Sequence, residues 1–269
     1  MQPLVFFGLI TLQGNLQPLR QRIPIAMEPR PTIKFKLNGV STSEADIDNL
    51  ELQACYRALD NLRSLLFQAP MLELLKDQIE EGNHYFESLI RASQGEFREC
   101  RTYMKATGVS ATEMRTICHR WQLSQPIDEM ARMFIFPTHP ENYVVMHSPG
   151  APAENGPDCG VEVIGDHMAK IQFVDLMDSE IPKWMADQRE EEYEMVEYLV
   201  AKLESGSKFF YVMNEFMDTE SGCKIKLRAF FPSASPWSLV SQHAEHLAVE
   251  FRNLLQMVYG AIEELEDSY

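Results

Sequence analysis

Apolar and polar positions change texture twice along the chain. In the first part they recur at helical spacing. Leu50, Ala54, Leu59, Leu62 and Leu66 form one stripe, which predicts a helix over 43–69 with Ser43 as cap and Asp46 in the reciprocal position. Pro70 ends it, and further helices are expected over 71–90, 95–105 and 111–122, the last capped by Ser110 or Thr112. A short strand or extended arm is expected over 32–40, ahead of these helices, and no internal repeat or low-complexity segment interrupts the chain. After Pro126 a short helix or turn (127–136) leads to alternating stretches: 142–146, then 160–176 with Gly165-Asp166 as its turn, and 207–217 with 223–231 as a hairpin. Between these, 178–203 reads as a helix. Finally, Leu247, Phe251, Leu254, Leu255 and Val258 place one apolar face on a helix over 241–259. Helices, then antiparallel strands, then a long last helix against the sheet make an α+β protein.

Composition narrows the function classes. At 269 residues the chain can bury a sizeable core. A net charge of -16 repels phosphate backbones, so nucleic acid is not an expected partner. The acids of 187–204 and of the C-terminal tail read as solvated faces. Five cysteines, an odd number without a CxxC pair, argue against a disulfide framework and a thiolate zinc site and favour a reducing, cytoplasmic setting. Residues 3–12 are apolar, yet no positive charge precedes them and they are too few to span a bilayer, so no membrane partner is expected. The expected organisation is a leader outside the folded unit (1–26), a mainly helical region (27–125), and a sheet-and-helix region (126–269), the last two packed as one unit.

The candidate chemistry lies on the last helix. His246 and Glu250 are four residues apart and share a face, with His243 one turn earlier. An imidazole and a carboxylate so placed can grip a divalent cation from one side, provided that other segments complete the shell. The alternative is a salt-bridged or solvated stripe. Beyond the helical part, His139, His147 and His167 are available, and Glu162 stands among apolar neighbours in Val161-Glu162-Val163-Ile164, where a buried carboxylate needs a cation or a donor.

These pieces together resemble the diacetylphloroglucinol/phloretin hydrolase family, over roughly half the chain. The matching residues are Glu129-Met130, His139 to Asn142 with Tyr143, Val161 to Gly165, Ile171 to Phe173, Lys226 to Phe231, and His246-x-x-x-Glu250-Phe-x-Asn253-Leu254 with Tyr259. The resemblance implies a helix-grip (Bet v 1-like) fold, in which a curved antiparallel sheet wraps a long C-terminal helix. It implies one zinc ion held by His139, Glu162, His246 and Glu250, with His147 open as an alternative to His139. It also implies cleavage of the carbon–carbon bond between an acyl group and a polyphenolic ring. Asn142 and Tyr211 would hold ring hydroxyls, and His243 or Glu141 would move the proton. The aromatic and methionine residues Phe209, Tyr211, Met213, Phe216, Phe230 and Phe231 would line or back the cavity. The partner implied is a small acylated aromatic, as in polyketide metabolism. A cavity protein that binds or cyclises an aromatic ligand without hydrolysis is the other reading, and whether the chain forms a homodimer stays open.

Overall fold

A computed structural model of the chain describes residues 33–124, 126–147 and 158–266. The expected leader (1–26) lies outside the described residues. The chain divides into two compact units, Met1–Ala54 and Cys55–Tyr269. In the first, β1 (Phe35–Leu37) and β2 (Val40–Thr42) pair as a hairpin. Its turn is Asn38-Gly39, both with positive φ, the conformation that a two-residue hairpin turn selects. α1 (Glu44–Leu65) begins in this unit and ends in the second. Its start is a reciprocal cap: the Asp46 amide donates to Ser43 Oγ and the Ser43 amide to Asp46, each at 3.1 Å. The stripe read on this helix is not a core face, since Leu50 and Leu62 are exposed.

The second unit holds α2 (Ala69–Ser93), β3 (Phe97–Thr107) and α3 (Ala111–Ser124). A short helical run follows: α4 (Ile127–Met130), a π-helical turn (Ala131–Ile135) and α5 (Phe136–Thr138). Then come β4 (Asn142–Met146), β5 (Cys159–Ile164), β6 (His167–Asp175), α6 (Lys183–Ala186), β7 (Met195–Leu203), β8 (Lys208–Thr219), β9 (Gly222–Pro232) and α7 (Trp237–Glu266). Among the described residues, seven strands form one antiparallel sheet in the order β3-β9-β8-β7-β6-β5-β4. It is a meander whose first strand closes on its last. α7 packs against β3 at one edge and reaches β5 near the other, so the sheet curves around the helix. This is an α+β helix-grip fold.

Two expected helices are corrected. The segment expected as a helix over 95–105 is β3, an edge strand paired residue for residue with β9, more than a hundred residues later. The segment expected as a helix over 178–203 holds only the single turn α6 and then β7, a central strand between β6 and β8.

Strand alternation sorts the sheet into two faces. The inner face, towards α7, carries Phe210, Phe231, Leu227 and Ile225, packed with Leu247, Leu255 and Val258 of the helix. The outer face has two covers. α2 lies over β4–β6 through Met71, Leu75 and Ile79, which meet Val144, Val161 and Met168. The segment around α6 lies over β8 and β9, where Met185 and Trp184 meet Tyr211, Met213 and Phe230. That segment is pinned by charge: Arg228 donates to the Gln188 carbonyl, and Lys226 pairs with Glu190. Gly165 turns β5 into β6 with φ 62°, and a side chain there would press on Leu239 at the start of α7.

Candidate metal centre

The centre is assembled from three segments. His139 follows α5, at the point where the helical run gives way to β4. A π-turn widens that run just before it, an irregularity common at functional sites. Glu162 sits in β5 with its side chain on the inner face, and His246 and Glu250 stand one turn apart on α7. Arg63 of α1 fixes the segment that carries His139. Its guanidinium is buried, stacks on the Phe136 ring at 4.5 Å, and donates to the carbonyls of Pro140 and Asn142 at 2.6 Å each.

His139, His246 and Glu250 present ligand atoms that all lie within 4.8 Å of one another. Glu162 stands beside this trio, its Oε2 3.3 Å from His139 Nε2. His246 Nε2 faces the Glu250 carboxylate at 3.8 Å, while Nδ1 meets Glu141 at 3.2 Å. Glu141 therefore accepts from Nδ1, which turns Nε2 towards the cluster. His139 and His246 approach edge to face at 4.3 Å, and His243 stacks on His246 at 5.1 Å. His147, the alternative to His139, is not in the trio.

The electrostatics are those of a site crowded with groups of one kind. Burial, aided by the charges of Glu250 and Glu141 and opposed by His246, lifts the Glu162 carboxyl to about 7. Burial also raises Glu250. His139 and His243 are held neutral, by burial first and by neighbouring imidazoles second. Burial works against the imidazolium of His246 too, but the Glu141 hydrogen bond and the charges of Glu162 and Glu250 outweigh it and lift the group to about 9. Among the described residues, His139 Nε2 is buried without a hydrogen bond, with Glu162 Oε2 facing it at 3.3 Å. A divalent cation answers each of these features: it takes the orphaned nitrogen, neutralises the facing carboxylates, and prefers this set of nitrogen and oxygen donors. The residues present therefore fit a zinc-like ion.

The cluster forms one wall of a cavity of about 370 Å³ between α7 and the inner face. Phe134, Phe173, Leu199, Phe210, Val212 and Phe251 supply apolar surface, and Asn142, Glu197, Asn214 and His243 supply polar groups. Asn142 is buried, with its amide oxygen unpartnered. Tyr211, expected to hold a ring hydroxyl, is corrected. It projects from the outer face of β8 and packs on Trp184, Phe97 and Phe230. The same parity removes Met213 and Phe230 from the cavity. Phe209 and Phe216 pack in the core without lining it, and Phe231 backs the site by meeting the His243 ring at 4.9 Å. The residues that line the wall from β8 are Phe210, Val212 and Asn214. The single polar residue in phase with Phe210 and Val212 was the available signal for Asn214. Nothing local marked Arg63 or Glu197.

No family model matches the chain, and no curated protein matches it. Among solved structures, the crystal structure of Ara h 8.0201 aligns at 8% identity and TM-score 0.35, covering 62% of this chain and 99% of its own. A putative uncharacterized protein from Rhizobium leguminosarum aligns at 12% identity and TM-score 0.32, covering 61% and 96%. What defines the fold is the strand order and the helix laid across it. Among the described residues no helix is long and apolar enough to cross a membrane, and all five cysteines are free.

Proposed function

We propose that the protein is a zinc-dependent hydrolase that cleaves the bond between an acyl carbon and a polyphenolic ring, with a chemistry like that of the diacetylphloroglucinol/phloretin hydrolases. The observation that carries this reading is the convergence of His139, His246 and Glu250 within 4.8 Å, beside buried Glu162, on the wall of a cavity large enough for a substituted ring. In this reading those four residues hold one zinc ion. When bound, zinc supplies Lewis acidity to the acyl carbonyl and to an adjacent water. Glu141 orients the His246 ring through Nδ1, a positioning role beside the proton shuttle that the resemblance implies for it or for His243.

The reaction balances as acyl arene plus water giving carboxylic acid plus arene. The water oxygen bonds to the acyl carbon, the acyl–aryl bond breaks, and its electron pair stays with the ring carbon, which takes a proton. An electron-rich polyphenol tolerates this step because it departs as its keto tautomer. Asn142, on the cavity wall beside Glu162, is the residue that the family resemblance gives for holding a ring hydroxyl. His243 is buried, neutral and on the cavity wall, so it can take a proton at one ring nitrogen and release one at the other.

The experiment is hydrolysis of monoacetylphloroglucinol. The expected result is release of acetate and phloroglucinol, lost on chelation and restored by zinc. The apolar lining also suits a second reading, an aromatic-binding or cyclising protein without hydrolysis. Saturable binding of the same compound with no turnover in zinc would favour it.

A further inference from the structure

A second pocket, of about 470 Å³, adjoins the first on the side of α3. Glu197 of β7 and Phe251 of α7 line both. Its floor is apolar: Met114 and Cys118 of α3, Phe216 of β8, and Phe251 with Leu254 of α7. Met114 and Phe216 are buried, but Cys118, Phe251 and Leu254 are only half-buried, so apolar surface is left open to the pocket. The polar groups stand at the rim. Thr116 and His119 are exposed, and the Glu197 carboxylate is paired with Arg115 at 3.0 Å, which compensates its charge. The pocket begins one helical turn beyond the metal centre. Leu254 follows Glu250 by four residues on the same face of α7, about 5.4 Å along it. A chain of about four carbons covers that distance. At the other end of the site, Asn142 and Glu162 pair across β4 and β5, near one edge of the sheet, whereas the second pocket lies by β7 and β8.

We propose that this second pocket is an acyl-chain subsite, and that the substrate is an acylated polyphenol whose chain runs about four carbons or more beyond the carbonyl. The proposal rests on the proposed function for the placing of that carbonyl at the His/Glu cluster. With the ring on the Asn142 side, the chain follows α7 past Phe251 to Leu254. An alkyl chain suits the pocket because it brings no polar group for the apolar floor to leave unpaired, and it takes the surface of Phe251 and Leu254 out of water. An acetyl group ends short of the pocket and leaves that surface wet. The product acid carries the same chain: the water oxygen joins the acyl carbon, the acyl–aryl bond breaks, and the ring carbon keeps the electron pair and takes a proton.

The test compares two probes that share a ring and differ by four methylenes, 2,4,6-trihydroxyacetophenone and 2,4,6-trihydroxyhexanophenone. Each is titrated calorimetrically into the full chain in chelator, so that no hydrolysis intervenes. Four methylenes are worth about 200-fold in affinity when fully buried, so in a pocket with an open rim the hexanoyl probe should bind at least about twentyfold more tightly. Leu254→Trp and Cys118→Trp fill the pocket from opposite walls, and each should bring that ratio below about threefold. Their places on separate elements keep the test open should one variant fail to fold. Equal affinities in the wild type overturn the subsite. So does a ratio retained in both variants, since a preference that reflects only the greasier ligand survives them. Turnover in zinc, assayed with the same two ketones, separates the two ideas. No hydrolysis of either ketone with the ratio intact removes the hydrolase reading alone, and hydrolysis of the acetyl compound with equal affinities removes the subsite alone.

Discussion

Replacing Arg63 tests how the centre is held. The side chain reaches from α1 to the backbone of the segment that carries His139, Glu141 and Asn142, and it donates to the Pro140 and Asn142 carbonyls at 2.6 Å each. A hydrogen bond from a charged donor is worth about 1.5–3 kcal/mol, so the two short bonds together contribute about 3–6 kcal/mol. Burying the guanidinium offsets part of this, and burial does depress its pKa. The expected net loss for Arg63→Met is about 2–4 kcal/mol in urea unfolding. His139 loses its anchor as well, so zinc affinity should fall by about 10–100-fold, as when an outer support of a ligand is removed. Arg63→Lys keeps the charge but cannot fork across separate carbonyls, and it should recover only a minor part of either quantity. Urea melts and competitive zinc titrations on the three proteins measure both. Wild-type stability and zinc affinity in Arg63→Met would refute the claim that this residue positions the site.

Two further predictions concern the scaffold. Gly82→Ala should destabilise the protein although alanine is the better helix former, because its Cβ would lie 1.9 Å from the Met168 carbonyl oxygen and push α2 off β6; a stability gain of about 1 kcal/mol would contradict this docking. Glu99 on β3 is half-buried against Arg228 and Arg101; burial opposes its charge, but the two arginines win and hold its pKa below 4.5. Its contribution is therefore present above pH 4.5 and is lost as pH falls through the depressed pKa, so the stability gap between wild type and Glu99→Gln should narrow in acid; a gap that widens there contradicts the sign.

How much of this was legible before the structure depended on whether the deciding contact was local. The last helix was legible because Leu247, Leu255 and Val258 repeat on one face and are buried there. The β5–β6 turn at Gly165 and the β8–β9 hairpin carry their own turn chemistry. β3 was not legible, because what makes it a strand is a register with β9 that no short window contains. β7 was masked by glutamates that favour helices, while its burial comes from β6 and β8 on either side. At the site, His246 and Glu250 followed from helical spacing, Glu162 from a carboxylate set among apolar strand neighbours, and His139 only as one of several histidines beyond the helical part. Tyr211 was misread because Phe-Phe-Tyr-Val-Met is apolar on both faces, so its phase is fixed by pairing, including a bulge at Ala201/Lys202, and not by composition. Arg63 showed no signal, since a lone arginine on a helix ordinarily faces water.

The most direct measurement is the metal content of the purified protein after zinc loading and desalting, compared among wild type, His246→Ala and His147→Ala. The account predicts one zinc per chain in wild type and His147→Ala and none in His246→Ala. Absence of bound zinc in the wild type, or its retention after loss of His246, would contradict it.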